Sequence, residues 1–371
     1  MKHILLSGNT AWSMYNFRSS VIKSLLEAGY KTTIIAPADG IFDKMIEKLG
    51  ANFINIDIDG KGTNPIKDFN LIRQYKSIFK KESPDFIFLF TIKPNIYGSL
   101  AAKSCKIPHI AITTGLGYTF MNNSIVTKIV HILYKIAFLS PLEVWFLNND
   151  DLKTFINHKL IDSQKGFILK GEGINLKKFY PTCNQSEEIS FLLIARMLWD
   201  KGIDEYVKSA RLLKQKYPEV KFNLLGFIGS NNPSAISEKQ ITIWEEEGII
   251  KYLGSTKDVK PFIEAHSCIV LPSYREGIPV TLLEASSMCK PIVTTDSIGC
   301  KDVIDDGITG YKCKIKDVDS LTQAMIKIIK MPPYERQKMG EAGRKKMEQE
   351  FDEQLIIGKY LSVIIKYLHK Y

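Results

Sequence analysis

Two carboxylates, Glu276 and Glu284, stand eight positions apart in the stretch SYREGIPVTLLEAS, residues 273–286. The apolar run SCIVLP at 267–272 precedes them and reads as a buried strand. Pro279 suits the first turn of a helix. Glu276 therefore falls in the loop at a strand's carboxyl end, and Glu284 falls one to two turns into the following helix. Gly277 lets backbone approach a ligand closely, and free N–H groups at a helix start attract anions. A carboxylate accepts paired hydrogen bonds from vicinal hydroxyls, the groups that sugars and riboses carry. Taken alone, the spacing also fits two solvated glutamates.

The stretch FLLIARMLWDKGIDEYVKSA, residues 191–210, offers the opposite charge. Arg196 sits at the carboxyl end of a strand, Lys201 five residues on, and Gly202 permits a tight turn before a helix. Two cations beside a helix start suit a diphosphate, although solvated loop charges would look the same. Both stretches occupy equivalent strand–loop–helix positions about 80 residues apart. One offers cations for phosphate and the other carboxylates for hydroxyls. A nucleotide diphosphate sugar matches both.

The elements that hold these residues follow from the pattern of the chain. Strands are expected at 3–7, 32–37, 52–56, 86–90, 109–113, 143–148 and 166–171, with helical spacing between most of them, as at 15–30. Gly29 stands where a helix-closing glycine belongs. The polar segment 177–188, with Pro181, reads as a linker. Alternation then restarts: strands 191–195, 221–227, 249–254, 267–272, 291–295 and 310–314, helices near 203–216, 258–265, 280–288 and 317–330, and a last amphipathic helix. Apolar strands alternating with helices imply parallel sheets covered on both faces. The expectation is an α/β chain of two Rossmann-like doubly wound domains. The first covers 1–176 and the second 177–350, with a helix at 351–371 packing back toward the first. Ligands in such sheets sit at the carboxyl ends of strands, so one ligand per domain is expected, with reaction in the cleft between them.

Composition narrows the classes. The chain has 371 residues, 45% hydrophobic and 24% charged, as expected of a globular protein with sizeable cores. The net charge is +10, and the excess sits in residues 1–176, with 21 Lys and Arg against 14 Asp and Glu. No basic run exceeds three residues and no zinc-finger or RNP-like signature occurs, which argues against nucleic acid. An anionic membrane surface and phosphorylated ligands account better for the charge. The apolar stretch 125–147 is interrupted by Lys128, His131, Lys135, Pro141 and Glu143, so it fails the uncharged span of about 20 residues that crosses a bilayer. It reads as a buried helix and strand, or as a helix resting on a membrane with lysines at the headgroups. Six scattered cysteines without a CxxC pair read as reduced thiols. No export signal is apparent, and a cytoplasmic location is expected. Asp150-Asp151 and Asp305-Asp306 read as helix and turn residues, not as a metal pair.

R-x4-K after the second domain's first strand, followed by E-G-x-P-x4-E, resembles the retaining glycosyltransferases of family 4, which have the GT-B fold. GEGINLKKF at 171–179 resembles the segment crossing between their domains. TIKPNIYGSLAAK at 91–103 and TTGLGYTF at 113–120 resemble a bacterial subgroup that extends glycans on undecaprenyl diphosphate. That subgroup includes α-1,3-N-acetylgalactosaminyltransferases. The resemblance implies that Arg196 and Lys201 bind the donor diphosphate and stabilise the leaving group. Glu276 would hold hydroxyls of the transferred sugar. Gly277, Ile278 and Pro279 would lay backbone against sugar and phosphate, and Glu284 would bind the ribose. The base would lie near Gly226, Phe227 and the loop after Gly254.

In the first domain the sequence departs from that pattern. Its first loop is SGNTAWSMYNFR, with Gly8 alone in place of a glycine-rich GGxxxH-like segment. Asn9, Tyr15 and Arg18 remain available to acceptor or phosphate. Thr114 and Gly115 occupy the stretch where relatives place a histidine near the sugar. Lys93, in a loop after strand 86–90, is the candidate for the acceptor's diphosphate. The implied reaction moves a hexose or N-acetylhexosamine, with retention and without a metal, from a UDP-linked donor to a polyprenyl-diphosphate glycan. The enzyme would touch the anionic inner face of the membrane. A UDP-sugar epimerase of the same architecture would need more acid–base groups, and none of the six histidines lies beside a motif. A dinucleotide oxidoreductase would carry GxGxxG after a first strand, and neither first strand has it. The intact set of Arg196, Lys201, Glu276 and Glu284 also argues against a decayed, non-catalytic protein.

Overall fold

A computed structural model describes residues 1–59, 65–116, 125–181, 188–229 and 232–368. Residues 117–120 of the TTGLGYTF motif, 182–187 of the expected linker and 369–371 of the last helix lie outside the described residues. The chain divides into two compact units, Met1–Glu172 with Gln354–Tyr371, and Gly173–Glu353.

The first unit holds β1 (His3–Ser7), β2 (Lys31–Ala36), β3 (Asn52–Asn55), β4 (Phe86–Phe90), β5 (His109–Thr113), β6 (Glu143–Phe146) and β7 (Gly166–Ile168). All pairs are parallel, in the order β3-β2-β1-β4-β5-β6-β7. Every residue of β1, β4, β5 and β6 is buried, as helices on both faces of a parallel sheet require. The second unit holds β8 (Ser190–Ile194), β9 (Lys221–Leu225), β10 (Lys251–Tyr252), β11 (Cys268–Leu271), β12 (Ile292–Thr295) and β13 (Gly310–Cys313). Its order is β10-β9-β8-β11-β12-β13, again parallel throughout. Strand order reverses between β1 and β4, and between β8 and β11. Those are the switch points where doubly wound sheets open a crevice for ligands.

The helix after β1 spans Ala11–Glu27, four residues earlier than its apolar spacing suggests, because Thr10 accepts the Ser13 N–H and caps it. Gly29 follows at φ +83°, the left-handed position that closes the helix. β10 is shorter than expected, with two residues. A helix over Pro333–Lys346, for which the sequence pattern gave no element, is largely polar and buries Arg336, Met339, Gly340 and Gly343. Gly340 is needed there, since a Cβ would stand 1.8 Å from the Cys289 carbonyl oxygen.

The last helix, Glu353–Leu368, contributes Tyr360 to the first unit's core, edge-on to Phe88 at 4.9 Å and to Trp145 at 5.1 Å. Among the described residues no helix is long and apolar enough to cross a membrane, and Cys105, Cys268, Cys289, Cys300 and Cys313 are free thiols.

Candidate active site

In the second unit, Arg196 lies just past the carboxyl end of β8. It is exposed, and its guanidinium has no hydrogen bond or ion pair among the described residues. A short turn over Trp199–Lys201 ends at Gly202, φ +73°, which starts the helix Ile203–Lys216. Gly202 is required twice over. Its backbone is left-handed, and a Cβ there would stand 2.1 Å from the Pro272 carbonyl oxygen. That contact presses the Arg196–Lys201 loop against the loop after β11. Asp200 reinforces it, its carbonyl accepting the Tyr274 N–H at 3.0 Å and the Ser273 hydroxyl at 3.3 Å. The result is a direct pair, Lys201 Nζ to Glu276 Oε1 at 2.5 Å, both side chains largely covered.

Glu276 is also fixed through its backbone, its N–H donating to the Ile298 carbonyl at 3.0 Å. Gly299, φ +82°, permits this approach. A Cβ on it would stand 2.5 Å from the carbonyl oxygens of both Glu276 and Gly277. The helix Val280–Ser287 then begins at Pro279, with no side chain capping its first turn, so the Val280 and Thr281 N–H groups stay open to a ligand while Leu282 N–H donates to the Pro279 carbonyl. Ile278 is buried under this turn. Glu284 is half-buried, and its carboxylate has no hydrogen-bond partner among the described residues. Burial pushes its carboxyl up to about 8, against the pull of Lys178 and with a smaller push from Asp258.

Gly226 and Gly254 meet through a backbone hydrogen bond, Gly226 N–H to Gly254 carbonyl, at 2.8 Å. A Cβ on Gly226 would stand 1.7 Å from the Ala195 carbonyl oxygen, and Met197 N–H donates to the Phe227 carbonyl at 3.0 Å. The Gly226–Phe227 backbone therefore lies directly against the loop that carries Arg196.

The first-unit candidates sit at the carboxyl ends of β1, β4 and β5, neighbours in the sheet. Gly8 lies against Met14, whose sulfur would be 2.4 Å from a Cβ. Asn9 and Thr114 are half-buried, Gly115 follows at φ +132°, and the Tyr15 ring packs on Phe42 at 5.7 Å. Arg18 is already engaged. It is buried, ion-paired with Glu172, and lies 4.2 Å from the Phe90 ring centre.

Lys93 is not in a loop as expected. It lies in the helical turn that follows Thr91, and its Nζ is 2.6 Å from Asp68 Oδ1. The other oxygen of Asp68 accepts the Tyr97 hydroxyl at 2.7 Å. Sequence reasoning missed Asp68, Glu172, Asp200 and Ile298. Each meets its partner across at least 20 positions, and no local spacing signals such a contact.

Comparison with known proteins gives this α/β arrangement a class. The Anabaena protein HepE, solved in complex with UDP and glucose, superimposes with a TM-score of 0.82 over 99% of this chain and 100% of that one, at 15% identity. The fold is GT-B. The family model described as Glycosyl transferases group 1 matches residues 179–346, and that described as Glycosyl transferase 4-like matches residues 3–140. The N,N'-diacetylbacillosaminyl-diphospho-undecaprenol alpha-1,3-N-acetylgalactosaminyltransferase of Campylobacter jejuni is 30% identical over 369 residues, 95% of each chain. The UDP-Gal:alpha-D-GlcNAc-diphosphoundecaprenol alpha-1,3-galactosyltransferase of Escherichia coli is 24% identical over 71% of each. The chain belongs to the glycosyltransferases, and it is an enzyme of that class.

Proposed function

We propose that the enzyme transfers a hexose or N-acetylhexosamine, with retention, from a UDP-linked donor to a polyprenyl-diphosphate-linked glycan in bacterial surface-glycan assembly. The observation that carries the donor assignment is the second unit's charge layout. An unpaired Arg196, the Lys201–Glu276 pair and an open helix start precede a half-buried, unpartnered Glu284. Phosphate oxygens fit the cations and N–H groups, and ribose hydroxyls fit Glu284. The acceptor class is supported by the names of the two curated relatives, both of which act on diphosphoundecaprenol-linked sugars.

In this reaction the bond from the sugar's anomeric carbon to the donor phosphate oxygen breaks, and negative charge gathers on the departing diphosphate. Arg196 and Lys201 face that charge and stabilise it without a metal ion. The acceptor hydroxyl attacks from the same face, its oxygen bonds to the anomeric carbon, and its proton leaves with the diphosphate. Glu276, held by Lys201 and the Ile298 carbonyl, takes the sugar's hydroxyls.

Contact with an anionic membrane is supported by the helix Ile125–Ala137. Val126, Ile129, Ile132, Ile136 and, just beyond, Leu139 are exposed along it, and Lys128 and Lys135 are exposed beside them. Apolar residues flanked by lysines suit a helix lying in the headgroup layer.

A thermal-shift panel of UDP, GDP and their sugars on the native chain and on Glu284→Ala tests the donor assignment. A ligand at 100 times its dissociation constant adds about 2.7 kcal/mol of stability. Stabilisation by UDP that weakens in Glu284→Ala is expected; no shift with any nucleotide removes the donor site from this unit.

A further inference from the structure

A cavity of about 510 Å³ lies at the other end of the second unit's sheet from Arg196 and Glu276. It opens where His266 leads into β11 and where Cys289 and Lys290 lead into β12. The start of the helix Pro333–Lys346 adds Arg336 and Gln337 as a further wall. The sugar-transfer chemistry uses none of these residues.

Its cations form no ion pair among the described residues. Arg336 is 9% exposed, and its Nη1 donates to the Met331 carbonyl at 2.6 Å. Lys290 Nζ donates to the Glu264 carbonyl at 2.8 Å. Each is held by a backbone oxygen, and neither has a carboxylate within ion-pair distance among the described residues. Burial lowers the pKa of both groups, with the Glu264 charge opposing it at Lys290. His266 is fixed by Asn223 at 2.6 Å and the Phe262 carbonyl at 2.6 Å, and burial holds its pKa down. The Cys289 thiol, pushed up to about 11 by burial, is neutral. Glu264 is the one carboxylate in the lining.

Covered cations without an ion-pair partner are costly, and an anion between them offsets that cost. The guanidinium fork matches phosphate geometry. The volume falls within the range of roughly 300–1,000 Å³ typical of small-molecule sites and is far larger than a bare phosphate needs. We propose that this cavity binds a small phosphorylated metabolite, with its phosphate on Lys290 and Arg336 and its hydroxyls toward Glu264 and Gln337.

The test uses inorganic phosphate and ribose 5-phosphate as probes in isothermal titration of the full chain. Arg196→Gln and Lys201→Gln are both introduced, so that those two cations contribute nothing and the result does not depend on the donor assignment. Binding is expected to persist in this background, with ribose 5-phosphate bound more tightly than phosphate. Adding Lys290→Gln should weaken ribose 5-phosphate at least about tenfold, the effect expected when a charge-assisted hydrogen bond becomes a neutral one. Gln337→Glu, an exposed change that cannot threaten the core, should also weaken it by placing a carboxylate at the rim. Binding that vanishes with Arg196 and Lys201, or that Gln337→Glu leaves unchanged, overturns the proposal. So does phosphate binding more tightly than its ribose ester.

Discussion

Lys201 Nζ lies 2.5 Å from Glu276 Oε1, although 75 positions separate them. The Gly202–Pro272 contact and the Asp200 carbonyl set that distance before any ligand arrives. In the proposed reaction Lys201 therefore faces two demands, orienting Glu276 and meeting departing phosphate charge. Removing a preorganised group aimed at developing charge typically costs about 100- to 1000-fold in rate. Lys201→Ala is expected to lower kcat by that order in a transfer assay. Glu276→Ala should cost a similar factor, and the double variant should cost much less than the product of the two, because the groups act as a unit. Fully multiplicative losses would show that the pair does not act together.

Glu284 titrates in an accessible range. Burial raises its carboxyl to about 8, well above the ordinary glutamate value. The folded state therefore holds a proton that the unfolded chain has released. From this group alone, stability is highest below the unfolded pKa and falls as pH rises toward 8. Glu284→Gln removes that loss, so its melting temperature should gain on the native chain between pH 5 and pH 8.5. Ribose hydroxyls donate best to the ionised carboxylate. With Glu284 on the ribose, as proposed, UDP affinity should rise more steeply over pH 6 to 8.5 in the native chain than in Glu284→Gln, where only the terminal phosphate of UDP, with a second pKa of about 6, still titrates. Titration calorimetry across that range checks both slopes.

Much of this was legible in the sequence, for reasons tied to particular residues. FIFLF is apolar throughout and HILLS carries the apolar centre Ile4-Leu5-Leu6, and they gave β4 and β1 with their observed bounds, because strands buried on both faces leave no polar alternation to misread. The motifs R-x4-K and E-G-x-P-x4-E fell at carboxyl ends of strands, since glycine and proline mark the loops. What pairs with what was not legible. Asp68 reaches Lys93 across 25 positions and Glu172 reaches Arg18 across 154, and no local pattern encodes such contacts. The cavity beside Lys290 was hidden for the same reason, being walled by segments from three parts of the chain.

Two glycines with nearly the same backbone separate steric demand from conformational demand. Gly202 has φ +73° and Gly307 has φ +75°. A Cβ on Gly202 would strike the Pro272 carbonyl, whereas one on Gly307 meets nothing within 4 Å. Gly307→Ala should cost only the left-handed strain of about 1–2 kcal/mol. Gly202→Ala should cost more by at least about 1 kcal/mol, since backbone must shift, as over-packing does. Urea unfolding of the two variants gives the difference directly. Gly202→Ala should also lower transfer activity by displacing Lys201 from Glu276.

Tyr360 fills the first unit's core but leaves its hydroxyl buried without a hydrogen bond. An unsatisfied buried polar group costs about 1–3 kcal/mol. Tyr360→Phe keeps the ring against Phe88 and Trp145 and removes the orphan, so it should be neutral or stabilising by about 1 kcal/mol. Tyr360→Ala should destabilise by about 3–5 kcal/mol through the lost ring and the cavity left behind. Denaturant midpoints that move in opposite directions would bear this out.

The exposed stripe on the helix Ile125–Ala137 makes a separable prediction about the membrane. Ile129 and Ile132 are 52% and 60% exposed, so replacing both with glutamate should barely change stability, since surface changes usually stay within about 0.5 kcal/mol. The same pair should abolish co-sedimentation with vesicles rich in phosphatidylglycerol, because two carboxylates would enter the acyl boundary. Lys128→Gln with Lys135→Gln should act differently. Each lysine near an anionic surface contributes about 1 kcal/mol, so losing both should weaken binding to those vesicles by about 30-fold and leave the weak binding to neutral vesicles unchanged. Raising salt should erase the lysine effect and spare the isoleucine effect, since screening acts on charge and not on apolar burial. Binding that survives both isoleucine replacements would assign membrane contact to another face of the unit.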